Sequence, residues 1–139
     1  MTHAALTTLL EALAQEAGAA SFWHDKQTSA NLSYNEPFPQ AHLFLMPSQL
    51  KGEYITTQVA MCFYGKDEHE NPSNLADPVA LAIQDSMDLL TQTFYRLVRE
   101  QGAVELLNDE MQRVPTLRNG AGIGTGYFVN FTLTHTGQC

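Results

Sequence analysis

Five histidines, His3, His24, His42, His69 and His135, and two cysteines, Cys62 and Cys139, are the residues of this chain best suited to metal binding or nucleophilic attack. Their spacing favours neither. No pair makes HExxH, and no set of Cys and His has zinc-ligand spacing. His69 stands in "DEHE" between Glu68 and Glu70, so the loop Asp67 to Glu70 offers donors to a divalent ion. Adjacent residues on a loop rarely converge on one centre, and the expected reading is a solvated acidic loop. Ser21, His24 and Asp25 are the residue types of a hydrolytic triad. Neighbours in an extended segment point to opposite sides, so these three cannot relay a proton among themselves, and no GxSxG accompanies them. Cys62 lies between Met61 and Phe63, an apolar setting that keeps a thiol protonated and inert. Asp85 and Asp88 are one helical turn apart, a spacing open to acid–base work, yet carboxylates flanking an apolar stripe usually solubilise a helix. No catalytic, cofactor-binding or metal-ligating residue is expected.

The stretch "RNGAGIGTGYFVNFTLTH" carries Gly120, Gly122, Gly124 and Gly126 and invites comparison with a phosphate-cradling loop. A dinucleotide fingerprint follows a strand and opens a helix, so that amide groups and the helix dipole meet the pyrophosphate. Here Tyr127, Val129, Phe131 and Leu133 alternate with Phe128, Asn130, Thr132 and Thr134, so a strand follows instead. These glycines are expected to be turn and bulge residues.

The elements around these residues are legible from their periods. Leu6, Leu9, Leu10, Leu13 and Ala17 form one helical stripe that Gly18 ends. A long excursion follows, with a short strand at Phe22 to His24 and with Pro37 and Pro39 keeping the chain extended. "AHLFLMP", apolar except for His42, suits a central strand covered on both faces. After a turn at Lys51-Gly52, "EYITTQVAMCFYG" puts Ile55, Thr57, Val59, Met61 and Phe63 on one face and Tyr54, Thr56, Gln58, Ala60, Cys62 and Tyr64 on the other; the short linker predicts a hairpin with "AHLFL". Asp77-Pro78 opens a second helix whose stripe runs Val79, Ile83, Met87, Leu90, Phe94 and Leu97, stopping before Gly102. A strand with Val114 and Leu117 precedes the glycines, and Pro115 confines it to an edge.

The chain has 139 residues, of which 44% are hydrophobic and 16% charged, values that suit one folded domain over 1–139. A formal net charge of −8 makes direct, sequence-specific binding of nucleic acid unfavourable. The two cysteines form no disulfide framework, and Glu11 and Glu16 interrupt the Ala- and Leu-rich N-terminal segment, which has no Lys or Arg ahead of it as a signal peptide would. No apolar run reaches the roughly 20 residues needed to cross a bilayer. A soluble, cytoplasmic product without membrane partners is expected.

Together the elements predict an α+β domain: an antiparallel sheet of about four strands with two helices packed on one face. The opposite face, with Tyr54, Cys62, Tyr64 and Phe128 looking outward, suits either a partner surface or scattered surface apolars under a long loop.

This order of elements resembles the small tail-terminator, or tail-completion, proteins of long-tailed bacteriophages and prophages. The resemblance runs through the N-terminal helix, "EPFPQAHLFL" as a proline-led strand, "GEYITTQVAMCFYGKDEHENPS" as a long strand entering an acidic loop, "DPVALAIQDSMDLLTQTFYRLV" as the long helix and "GIGTGYFVNFTLTH" as the closing strand. The excursion from Lys26 to Asn35 has no counterpart. The resemblance implies a non-enzymatic virion subunit that forms a ring, a hexamer by analogy, at the head-proximal end of the tail. It implies partners among other tail or connector proteins, and residence in the host cytoplasm and then in the virion. Tyr34, Phe38, Tyr54, Tyr64, Asp67, Glu68, His69 and Glu70 are the expected interface residues. Two other readings stand beside it: a small α+β enzyme or ligand-binding domain that brings His24, Asp25 and His69 together, and a ring adaptor of a phage-tail-like injection machine.

Overall fold

The computed structural model describes residues 1–24, 37–45, 47–66, 78–119 and 124–136. Helix α1, His3–Ala17, forms where Leu6, Leu10, Leu13 and Ala14 share one buried side. Thr2 caps it by accepting from the Ala5 N–H at 3.1 Å. Gly18 ends it at φ 130°, giving its N–H to the carbonyls of Ala14 and Gln15, a backbone geometry that side chains rarely tolerate. Helix α2, Pro78–Arg99, buries Met87, Leu90, Phe94 and Leu97 on the predicted stripe, and Val98 beside them. The cap assigned to Asp77 lies outside the described residues.

Among the described residues seven strands make one sheet: β1 Ser21–His24, β2 Gln40–Leu45, β3 Ser48–Lys51, β4 Tyr54–Lys66, β5 Glu105–Leu106, β6 Gln112–Asn119 and β7 Gly124–Thr136. The two 13-residue strands, β4 and β7, pair antiparallel from Tyr54↔Thr136 to Lys66↔Gly124 and form its spine. Beyond β4 lie β2 at one end and β3 at the other; beyond β7 lie β6 and β5. β1 is outermost and runs parallel to β2.

The class is α+β as expected, but the sheet is mixed and has seven strands rather than about four antiparallel ones. The chain between His24 and Gln40 is long enough for the crossover that a parallel pair requires. The turn at Gly52, φ 62°, joins β3 to β4 rather than β2 to β4. All four residues of β3 are exposed, so no alternation of apolar and polar residues marks it in the sequence. Pro115 does lie on an edge, because β6 pairs with β7 alone among the described strands.

The glycine stretch follows β6 and is followed by β7, not by a helix, and Asn119 pairs with Gly124 across it. Gly120 and Gly122 themselves lie outside the described residues. Gly126 is needed for contact: a Cβ built there would stand 1.7 Å from the carbonyl oxygen of Phe63.

Both helices cover the face that carries Val59, Met61 and Phe63 on β4 and Val129, Phe131 and Leu133 on β7. Phe94 anchors this core, its ring 5.0 Å from that of Phe63 and 5.9 Å from that of Phe131.

Candidate functional site

On the helix-free face the upper end of the sheet is not open. Cys62 and Tyr64 form a second buried cluster with Phe38, Phe44 and Phe128 packed on it. Rings follow one another across the strands: Trp23 stacks on His42 at 6.3 Å, His42 lies 5.6 Å from Tyr64, and Phe44 stacks on Phe128 at 6.3 Å. His42 is fully buried, and its Nε2 is 2.9 Å from Gln40 Oε1, a contact in which the ring nitrogen must donate. The expectation that Cys62 and Tyr64 look outward is therefore corrected. Both lie on the helix-free face, but Tyr64 is only 3% exposed and Cys62 is fully buried. The residue types carried the signal: β4 alternates Met61 and Phe63 with Cys62 and Tyr64, so it is apolar on both sides there.

Exposed large apolar groups occur on α2, where Leu81 is 48% and Leu89 66% exposed, and on two opposite sides of the sheet. On the β3–β4 hairpin, Leu50 is 76% and Tyr54 55% exposed. Across the sheet, Leu107 is 45% and Val114 46% exposed, on the chain that leaves β5 and returns as β6. That chain loops away from β7 between the Leu106↔Leu133 and Gln112↔Asn130 pairs. The resulting notch of about 240 Å³ is lined by Gln58, Leu107, Glu110, Gln112 and Asn130.

The loop is held by α2. Asn108 and Asp109 both have positive φ, 56° and 55°, a region that Asn and Asp visit more readily than other side chains. Tyr95 donates its hydroxyl to the Asp109 carbonyl at 2.6 Å, and Arg99 Nε bonds Asp109 Oδ1 at 2.7 Å. One helical turn earlier, Arg113 of β6 reaches back to the Asp88 carboxylate and donates to Thr91 Oγ1 at 2.9 Å. Its hydrogen bond to Asp88, with a second from Gln92, holds that carboxyl below the usual range. Asp88 is thus committed to a structural pair, while Asp85 stays exposed, so the two carboxylates do not form an acid–base couple.

Of the residues of the enzymatic reading, His24 alone lies among the described residues. His24 is exposed at the end of β1, its ring 5.9 Å from that of His3. Asp25 and His69 lie outside the described residues. Burial pushes the Cys62 thiol up to about 12, against a smaller opposing effect of its hydrogen bond with Tyr64, so no thiolate forms near neutral pH. Neither the notch nor the groove of about 330 Å³ beside Tyr95 and Met111 is lined by a histidine. No group of three metal-ligating side chains occurs among the described residues. Of the expected interface residues, Tyr54 is exposed, Phe38 is part-buried in the aromatic cluster and Tyr64 is buried. Tyr34, Asp67, Glu68, His69 and Glu70 lie outside the described residues. Leu50 and Leu107 carry no signal in the sequence, where an isolated apolar residue in a polar segment shows no period, and Val114 is marked there as a strand residue but not as an interface residue.

Compared with known proteins, the chain matches no family model and no curated sequence. Among the described residues no helix is long and apolar enough to cross a membrane.

Proposed function

We propose that this chain is a structural subunit that assembles head to tail into a ring, as a tail terminator or head-to-tail connector component of a long-tailed phage. The reading is supported above all by the placement of exposed apolar side chains on two unlike edges of one sheet, Leu50 and Tyr54 on one and Leu107 and Val114 on the other. A two-fold dimer uses one patch twice, whereas a ring needs two different patches that meet by rotation. The order of elements is the one that resembles the tail-terminator family. A net charge of −8 suits a channel through which DNA passes without adhering. Assembly in the host cytoplasm, incorporation into the virion and docking to neighbouring tail or connector proteins follow from the same reading.

The test is native mass spectrometry with negative-stain electron microscopy of the purified chain. The expected outcome is a closed ring, six subunits by resemblance. A protein that stays monomeric at hundreds of micromolar contradicts the proposal.

A further inference from the structure

At its lower end the sheet is four strands wide, in the order β3–β4–β7–β5, and its residues lie in straight rows. Ser48 pairs with Thr57, Thr57 with Leu133, and Leu133 with Leu106. In the next row Gln49 pairs with Thr56, Thr56 with Thr134, and Thr134 with Glu105. Each row starts on the outer edge of β3 and finishes on the outer edge of β5, and neither edge pairs with another described strand. Such edges are templates for another chain. Each step across the rows is antiparallel, so β3 and β5 run in opposite directions. A second copy turned about an axis parallel to the strands keeps its strand directions. Its β3 would meet β5 of the first copy antiparallel, in the same rows and with no rise along the axis, which is the condition for a ring rather than a helical filament.

We infer that copies of this chain join through an antiparallel β3–β5 pair, which continues one sheet from subunit to subunit. The inference rests on the ring reading and names its contact. Side chains on the two edges match in this register. Gln49 of the next copy faces Glu105, which places Lys51, two residues on and on the same face, diagonally opposite the Glu105 carboxylate. On the helix-bearing face, Ser48 of the next copy faces Leu106, which its own core already buries to 7% exposure, and the exposed Leu50 comes diagonally over it. Pro47 falls opposite the exposed Leu107. By alternation Pro47 and Leu107 share the helix-free face with Gln49, Lys51 and Glu105, so the charge match and this apolar contact fall on one face. β5 has only two residues, too few ladder bonds to hold a dimer by itself, whereas closure holds every subunit on both sides. Rings without a populated dimer are the expected form.

The experiment is disulfide trapping in a Cys139→Ser background. Directly opposed residues of an antiparallel pair are within disulfide reach. The Gln49→Cys/Glu105→Cys double variant should give a covalent ladder up to the full ring under mild oxidation, and neither single variant should cross-link. A charge exchange provides the second measurement: Lys51→Glu should raise the concentration needed for assembly several-fold, and adding Glu105→Lys should restore it. A ring that persists in native mass spectra while the double variant stays uncross-linked and the exchange fails to restore assembly overturns this contact and leaves the ring reading in place. Cross-linking by either single variant shows like edges pairing two-fold and overturns it as well. A monomeric wild-type chain removes both readings.

Discussion

The Cys62 thiol is held protonated by burial, with an ordinary value of 9.0 displaced to about 12. A raised folded-state value gives stability that is complete below pH 9 and declines as pH climbs towards 12, because the unfolded chain alone releases the proton. The loss is at most ~1.4 kcal/mol per pH unit. Melting temperatures of wild type and Cys62→Ala between pH 8 and 11 should converge as pH rises, and a constant difference would show that the thiol does not titrate with unfolding. In the Cys139→Ser background, a thiol reagent should modify Cys62 only at the rate of opening. Asp88 has the opposite sign: its lowered value gives stability that is present above about pH 4 and fades below it. Since the Asp88–Arg113 pair is about one-third exposed, the effect is small. Asp88→Asn should flatten the acid limb of the stability profile while leaving stability at pH 7 lower by no more than ~1 kcal/mol. Gly126→Ala has no such tolerance. With Phe63 oxygen 1.7 Å from the added carbon, the spine must shift, and the variant should express as aggregate or melt far below wild type.

Whole elements divide by the strength of their periodic signal. α1, α2, β4 and β7 each bury a stripe or an alternating set long enough to be recognised, and each occurs where the residue pattern puts it. Phe94 shows what that pattern protects: Phe94→Ala should cost ~3–5 kcal/mol in chemical denaturation with unchanged m-value, since its ring closes the space between Phe63 and Phe131. β3 and β5 left no trace in the sequence because β3 buries nothing and β5 is only two residues long, with Leu106 alone buried; their strand geometry comes from pairing with β4 and β7. The parallel partnership of β1 with β2 was equally hidden, as pairing direction depends on a crossover whose path no local pattern encodes. The candidate site was legible to the same uneven degree. Tyr54 was visible as an aromatic on the weaker face of a clear strand, and it is exposed. Tyr64, on the same face, is covered because Phe44 and Phe128 come from distant strands, information that only the tertiary structure contains. Leu50 and Leu107 belong to segments too short or too irregular for periodicity to speak.

Across the whole molecule, the surplus of acidic groups sets behaviour towards polyelectrolytes. At physiological salt the chain should not retard duplex DNA in a gel, and a tight, salt-sensitive complex would be incompatible with an acidic channel lining. Assembly should also strengthen as ionic strength rises from low values, because like-charged subunits repel less when screened.

The aromatic layer around His42 and Tyr64 has a kinetic consequence. One continuous strand, β4, is sealed on both sides near Cys62 but bare on one side near Tyr54 and Thr56. Amide protons at the sealed end can exchange with deuterium only when the entire fold opens, whereas those at the bare end are released by fraying of a few residues. Protection should therefore fall steeply along a single strand in the isolated chain, and the end that breathes is the one a neighbour would clamp.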